Sequence, residues 1–212
     1  MKSNILQLVS ISALACIAGG PVLSAPAQPE SFAFGGQPWA MFVPKESEPA
    51  SCRMAGNCSS THSGQPGVIL ASNDFARYGM RPYTKSIPVN GGERYRLSAW
   101  VKADQGCRVE SGTAGLLLRA TLFVGTAVDY PGGHYYVGAK GVVLGADPAP
   151  LADAPLPSEW TKLEGVVEIP AGVRTMMLFV FCWKTSGQVC IDQATIEKVD
   201  GSTPLTKVLV GK

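Results

Sequence analysis

The chain of 212 residues carries nearly balanced charge, with 18 basic and 16 acidic side chains, and 46% of its residues are hydrophobic. This length suits one β-sandwich or barrel domain, and the apolar content excludes intrinsic disorder. There is no block of like charge, so the composition does not support a nucleic-acid partner or an anionic membrane surface. Low charge together with 24 Gly and 16 Pro favours an all-β domain of short strands joined by many turns.

Residues 1–27 have the features of a secretory signal peptide. A positive charge precedes the apolar stretch Ile5–Ile17, which is too short to cross a bilayer, and Ala25–Ala27 fits an A-x-A cleavage site. We therefore predict a secreted or periplasmic protein without a membrane span in its mature chain. An N-terminal membrane anchor and lipidation at Cys16 are the alternatives.

The mature chain is predicted to form one domain over residues 28–200, followed by a C-terminal tail at 201–212. Its clearest strand is Arg94–Lys102, where apolar and polar residues alternate strictly after the turn Asn90–Glu93. Residues 126–158 are predicted to be a long connection with one short strand at 142–144. The other predicted strands lie, in chain order, within 31–43, 67–72, 114–125, 160–169, 175–183 and 189–199.

Five cysteines follow the signal peptide, which fits an oxidising compartment. The leading pairing is local, Cys52 with Cys58 and Cys182 with Cys190, because each pair brackets a short segment. Cys107 is left over in that scheme, although the sequence does not fix the connectivity. A zinc site is the competing interpretation, but neither pair has C-x2-C spacing and histidine is scarce.

Three segments carry a family resemblance: Ile87–Ala103, Glu159–Gly172 and Cys190–Ile196. In this order they resemble strands of the galactose-binding-like jelly rolls found among bacterial carbohydrate-binding modules. The resemblance implies a jelly-roll β-sandwich of two antiparallel sheets and a non-catalytic carbohydrate-binding function. The chain departs from the family in its long 126–158 segment and in its five cysteines, and the same fold serves many other binding tasks.

The resemblance also implies a structural calcium ion at Asp192. Calcium takes six to eight oxygen ligands. The sequence offers the Asp192 carboxylate, backbone carbonyls near Phe34–Gly36 and, as the nearest acidic partner, Glu30.

Sugar recognition needs aromatic rings for the C–H face of a pyranose and planar polar groups for its hydroxyls. Trp100 lies on the polar face of its strand, and Arg119 interrupts an otherwise apolar strand. The candidate ligand-binding residues are Tyr78, Arg81, Trp100, Arg119, Tyr130, Tyr135 and Tyr136.

Each of these predictions has a structural alternative. Core or loop packing would equally explain each aromatic residue, and a buried ion pair would explain Arg119. At the level of the whole protein, the alternative is a cell-envelope domain that binds another protein and has no sugar site. A groove lined by exposed aromatic rings would favour the carbohydrate function.

The sequence predicts that the protein is not an enzyme. It has no G-x-S-x-G, no H-E-x-x-H and no Gly-rich phosphate loop. Its two histidines, His62 and His134, are predicted to lie in loops without an identifiable partner. Glu164 and Glu168 share one strand face but are about 13 Å apart at about 3.3 Å per residue, too far for a glycosidase pair.

Overall fold

The computed structural model describes residues 30–31, 39–44, 52–58, 62–64, 67–82, 86–125 and 133–210. These ranges form thirteen strands and one 3-10 helix, Ala149–Leu151, and contain no helix that is long and apolar enough to span a bilayer. The prediction of an all-β domain is confirmed. The strands are β1 Glu30–Ser31, β2 Trp39–Phe42, β3 Cys52–Asn57, β4 Val68–Pro82, β5 Ile87–Pro88, β6 Arg94–Ala103, β7 Arg108–Val109, β8 Gly115–Phe123, β9 His134–Gly138, β10 Gly141–Gly145, β11 Thr161–Glu168, β12 Thr175–Val199 and β13 Val208–Leu209.

The strands build two facing sheets that share the long strands β4 and β12. In sheet I, the neighbouring strands are, in order, β3, the first part of β4, the second part of β12, β6 and β11. In sheet II, the neighbouring strands are, in order, β2, the second part of β4, the first part of β12, β8, β9 and β10. These pairings are antiparallel, and β13, within the predicted tail, adds to β10 in parallel. The predicted jelly-roll sandwich is confirmed.

β12 passes from one sheet to the other through a bulge at residues 183–187. Its pairing with β4 shifts register twice there, and Lys184 and Gly187 have φ angles of 54° and 100°. Glycine adopts such angles without strain, and a Cβ on Gly187 would lie only 2.7 Å from the Cα of Cys107. A bulge bends its strand, and this one lets a single strand serve both sheets.

The hydrophobic core lies between the sheets and follows from the period-two pattern of the strands. In β6, Leu97, Ala99 and Val101 are fully buried and alternate with outward-facing residues, of which Arg96 and Trp100 are half-buried. The sheets approach closely at Gly165 of β11, where a Cβ would lie 2.7 Å from Val142 of β10. Side chains of the opposite parity form two outer faces, one for each sheet.

The segment around Tyr78, which lies outside all the predicted strands, is a strand. β4 continues through Asn73 and Asp74 to Pro82 because it pairs with both halves of β12, and tertiary pairing outweighs the low strand propensity of Asn and Asp. In this strand Tyr78 faces the core, whereas Arg81 has the opposite parity and faces outward.

The disulfide joins Cys58 to Cys190, with Cα atoms 5.9 Å apart. It takes one cysteine from each predicted pair, so the predicted Cys52–Cys58 and Cys182–Cys190 bridges are both wrong. The reason is that Cys52–Asn57 and the residues around Cys182 lie in extended strands, where neighbours in sequence are held apart. Proximity in the fold comes from β12, which carries Cys190 beside the end of β3.

Part of the predicted long connection forms a hairpin. β9 and β10 pair closely around the turn at Ala139 and Lys140, so the predicted strand at 142–144 has a partner at 134–138. Beyond the hairpin, Leu151 of the 3-10 helix packs on the outer face of sheet II with Tyr136 and Val143.

Candidate functional site

Two of the predicted ligand residues are part of the core. Tyr78 is 0% exposed and Tyr135 is 5% exposed, and the Tyr135 hydroxyl donates to the carbonyl of Glu168 at 2.6 Å. Core packing, the alternative left open for each aromatic residue, therefore describes both. Tyr130 lies outside the described residues.

The remaining four predicted residues are divided between the two outer faces. Trp100 of β6 lies on the outer face of sheet I, whereas Arg81, Arg119 and Tyr136 lie on the outer face of sheet II. Because the core separates these faces, the two groups cannot contact one ligand together. The outer face of sheet II is the richer of the two in aromatic rings.

A continuous aromatic cluster lies on the outer face of sheet II. Three of its rings are buried, Phe179, Phe181 and Tyr136, whereas Phe42 and Trp183 are half-buried. Consecutive outward positions of β12 supply Phe179, Phe181 and Trp183, while β2 supplies Phe42 and β9 supplies Tyr136. Phe42 lies 5.1 Å from Phe179, and Trp183 lies 5.8 Å from Phe181 and 6.1 Å from Tyr136, between ring centroids. These separations are those of favourable aromatic pairs. Sequence analysis missed four of these rings, Phe42, Phe179, Phe181 and Trp183.

Gly79 makes room for this cluster. A Cβ at that position would lie 2.4 Å from the carbonyl oxygen of Val180 and 2.8 Å from the ring of Phe181. Phe181 therefore packs directly on the backbone of β4, and the side chains on either side of Gly79, Arg77 and Arg81, flank the ring along the strand.

Arg119 lies at the centre of the cluster. Its guanidinium carbon is 4.3 Å from the ring centroid of Phe179, 4.6 Å from that of Phe181 and 5.0 Å from that of Phe42. A cation over aromatic rings is attracted by their negative faces. Burial, and then the charge of Arg119, lowers the pKa of neighbouring His134 to about 4, so that imidazole is uncharged at neutral pH.

A cleft opens at one margin of the cluster. The guanidinium of Arg77 lies 4.3 Å from the ring centroid of half-buried Trp183. Asp147 and Ala149, beside the 3-10 helix, form the facing wall, and Lys184 pairs with Glu110 at the edge. The cavity has a volume of about 200 Å³, below the ~300–1,000 Å³ typical of drug-sized ligands. It therefore suits one ring of a larger ligand.

On the outer face of sheet I, unlike that of sheet II, the tryptophan Trp100 is covered by another ring. The imidazole of His62 stacks on Trp100, with ring centroids 3.6 Å apart and planes at 23°, and Trp160 lies 6.2 Å from His62. The disulfide at Cys58 and hydrogen bonds to Asp192 hold the His62 segment in this position.

Asp192 organises this covering segment. Its carboxylate, 2% exposed, accepts hydrogen bonds from the backbone N–H of His62 at 3.1 Å and of Ser63 at 2.9 Å, and from the Ser63 hydroxyl at 2.8 Å. All three hydrogen bonds end on one oxygen, Oδ2, where they would compete with a calcium ion for the same lone pairs. Phe34–Gly36 lie outside the described residues, and no group of three His, Cys, Asp or Glu side chains within the described ranges could hold a metal. Calcium binding stays a prediction.

A second cavity, of about 360 Å³, lies at an end of the sandwich between Leu116, Leu156 and Leu163. Its walls are mainly aliphatic, and Glu159 stands at its margin. It offers neither an aromatic platform nor a set of converging polar groups.

Comparison with known proteins supports the fold. No family model and no curated protein matches the chain. Among solved structures, the CBM22-1 and GH10 modules of a Clostridium thermocellum endo-1,4-beta-D-xylanase, complexed with xylohexaose, match with a TM-score of 0.51 and 13% identity over 83% of this chain. The chain spans 28% of that xylanase chain.

Two further structures are similar along most of their own length. The CBM22-1 xylan-binding domain of Paenibacillus barcinonensis Xyn10C has 18% identity and a TM-score of 0.46, covering 84% of this chain and 99% of its own. Cellulose induced protein Cip1 has 9% identity and a TM-score of 0.49, covering 74% and 90%. The xylanase match, with its TM-score of 0.51, confirms the resemblance to jelly-roll carbohydrate-binding modules, and at 13% identity it shows the fold alone.

Proposed function

We propose that the protein is a non-catalytic carbohydrate-binding domain whose ligand lies on the outer face of sheet II. A pyranose presents a C–H face, which packs on an aromatic ring, and hydroxyls at its edge, which pair with planar polar groups. The outer face of sheet II combines both kinds of group within one cluster. The structurally similar modules of the Clostridium thermocellum xylanase are complexed with xylohexaose, which agrees with this class of ligand.

The observation that carries the proposal is the cleft beside Trp183. The half-buried indole of Trp183, backed by Phe181 and Tyr136, forms one wall. Arg77 and Asp147 bring a donor and an acceptor to the same cavity. By contrast, Trp100 on sheet I already has a ring stacked against it.

We also propose that the domain acts outside the cytoplasm. The signal-peptide features of residues 1–27 support export, and the Cys58–Cys190 disulfide would be stable in an oxidising compartment. The domain would then meet polysaccharides in the periplasm or beyond the cell.

The test is a glycan-array screen of the protein, followed by calorimetry on the best ligand with two matched variants. Trp183→Ala should lower affinity by roughly tenfold or more, as expected for removing a stacking platform at the centre of a site. Trp100→Ala removes the same side chain from the opposite face and should leave affinity within about twofold. Circular dichroism confirms that both variants fold.

Two results would overturn the proposal. One is an absence of binding by folded protein across a broad array of glycans. The other is binding that depends on Trp100 and is indifferent to Trp183. Arg77→Gln provides a second test of the same cleft if Trp183→Ala does not fold.

A further inference from the structure

We propose that an end of the sandwich holds a second binding site, which takes the alkyl chain of a small amphiphile dissolved in water. The site is the cavity of about 360 Å³ between Leu116, Leu156 and Leu163, here called the end cavity. Of the described residues that line it, only Ala114 also lines the cleft beside Trp183. Its ligand class does not depend on the proposed carbohydrate function.

The end cavity continues the hydrophobic core. Its floor is formed by Leu116 of β8 and Leu163 of β11, which are 6% and 3% exposed and belong to the core between the sheets. One inward position further along β11, the sheets meet closely at Gly165, where a Cβ would lie 2.7 Å from Val142. At Leu163 the same sheets leave a cavity between them. Protein interiors are normally packed without voids of this size, so this extension of the core offers an apolar ligand a surface that water solvates poorly.

The other side of the end cavity is open to solvent. It is lined by Ala139 in the turn between β9 and β10, and by Ser158 and Thr161 at the start of β11, all three of them exposed. A ligand can therefore enter with its chain directed at the floor, while its polar end stays at this rim. The volume of about 360 Å³ lies within the ~300–1,000 Å³ range of small-molecule sites, and an apolar cavity of about 150 Å³ is enough to bind benzene.

Polar groups at the rim are paired within the chain. Glu159 is the one ionisable side chain among the described lining residues, and its carboxylate lies 3.6 Å from the ammonium of Lys102. The Glu159 carbonyl accepts a hydrogen bond from the Thr161 hydroxyl at 3.0 Å, and the Pro157 carbonyl accepts one from the N–H of Ala103 at 2.7 Å. The rim thus has no net charge to attract an ion, and the walls favour hydrocarbon over a sugar.

Leu156 sets the size of the end cavity. It belongs to the wall formed by residues 154–157, which is held at one end by the Pro157 hydrogen bond and at the other by Asp153, whose carboxylate accepts the N–H of Gly112 at 2.9 Å. Leu156 packs against the core and also lines a neighbouring cavity of about 420 Å³. It is therefore the partition between the two cavities, and its side chain limits the length of alkyl chain that fits.

Calorimetry with a series of primary alcohols tests the inference. 1-Butanol, 1-hexanol, 1-octanol and 1-decanol carry the same hydroxyl on chains of increasing length. Affinity should rise roughly fourfold for each methylene that becomes buried and should stop rising once the end cavity is full. In methyl NMR spectra, 1-octanol should shift the resonances of Leu116 and Leu163.

Three variants locate the binding. Ala139→Phe adds a ring at the rim and should weaken 1-octanol binding roughly tenfold, as expected if it displaces about two methylenes. Ala171→Phe adds the same ring at an exposed position of the turn after β11, at the opposite end of that strand, and should leave affinity within about twofold. Leu156→Ala shortens the partition and should extend the rise in affinity to alcohols longer by about two or three methylenes.

Four results would overturn the inference. They are the absence of binding of every alcohol to folded wild-type protein, equal weakening by Ala139→Phe and Ala171→Phe, the same chain-length limit in wild type and folded Leu156→Ala, and binding to phosphatidylcholine vesicles in place of dissolved alcohols. Ala139 lies in an exposed turn, so its variant keeps the test decisive if Leu156→Ala does not fold. Carbohydrate binding is measured separately with Trp183→Ala, so the two proposals fail independently.

Discussion

On the outer face of sheet I, several cations pair with carboxylates, whereas on the outer face of sheet II Arg77 and Arg119 lie over aromatic rings. The difference arises although β4 and β12 run through both sheets. On sheet I, Trp100 is stacked under His62 and the neighbouring cations are paired with carboxylates. On sheet II, Trp183 and Arg77 border a cleft, and Arg119 rests against three phenylalanine rings.

Under the proposed function, one outer face of the sandwich serves stability and the other serves recognition. Sheet I carries interactions that stabilise the fold, namely the Cys58–Cys190 disulfide, the Asp192 hydrogen bonds and several ion pairs. Sheet II carries the features that suit a ligand. Function depends on such sites and not on the jelly-roll fold itself.

The largest effect on stability is expected from the disulfide. Replacing both Cys58 and Cys190 by Ala opens a loop with a sequence separation of 132 and should lower the free energy of unfolding by about 4–5 kcal/mol. Denaturant titration measures it, with Cys107→Ala as the control, since Cys107 is not disulfide-bonded. A loss below about 1 kcal/mol would show that this bridge does not fasten sheet I.

A smaller loss is expected from Asp192→Asn. The amide keeps the size of the carboxylate but cannot accept all the hydrogen bonds from the His62 segment, so unfolding should become easier by about 2 kcal/mol. The same titration with and without calcium examines the predicted ion. If the melting temperature of the wild type rises with calcium and that of Asp192→Asn does not, the carboxylate binds metal. No rise in either protein would contradict the predicted ion.

The two sheets should also lose stability in different pH ranges. The pKa of His134 on sheet II is lowered from 6.5 to about 4, so its contribution is present above pH 6.5 and is lost as pH falls towards 4. At the start of β6 in sheet I, burial raises the pKa of Glu93, but hydrogen bonds from Lys198, Asn90 and Tyr95 outweigh it and lower the pKa to about 2. The Glu93 contribution is therefore lost between about 4.5 and 2.

Denaturation curves across pH test these ranges with one variant for each sheet. His134→Gln should flatten the pH dependence between 6.5 and 4, and Glu93→Gln should flatten it between 4.5 and 2. Identical profiles for wild type and His134→Gln would contradict the burial of a neutral imidazole on sheet II.

The smallest effect is expected from the ion pairs of sheet I. Glu164 contacts Arg96 and Lys162 with its side chain partly exposed, and such surface pairs contribute about 0–1 kcal/mol. Glu164→Gln should therefore change the free energy of unfolding by less than about 1 kcal/mol and leave ligand affinity unaltered. A marked loss of affinity would place the ligand on sheet I.

Period-two patterns predicted much of this architecture. Strict alternation located β6, and Arg119 attracted attention because a charge within an apolar strand requires a special environment. The structure places that residue at the centre of the aromatic cluster. Segments whose partners are distant in sequence were harder to predict, since β4 and the β9–β10 hairpin depend on pairing with strands elsewhere.

Trp183 was missed because the assumed bridge between Cys182 and Cys190 made it part of a hairpin tip. A usable signal was present in the sequence: Met177, Phe179, Phe181 and Trp183 alternate at period two and must share one strand face. The position of the cleft could not be predicted from the sequence, because Arg77 lies on a strand and Asp147 in a loop far from it in the chain, and only the fold brings them to one cavity. Such convergence depends on tertiary register that no local pattern contains.

The most direct test of the central claim is a crystal structure of the protein with a bound oligosaccharide. We predict that a sugar ring lies against Trp183 in the cleft with Arg77 and Asp147, on the outer face of sheet II. A ligand stacked near Trp100 and His62, or enclosed in the cavity between Leu116 and Leu163, would contradict the account.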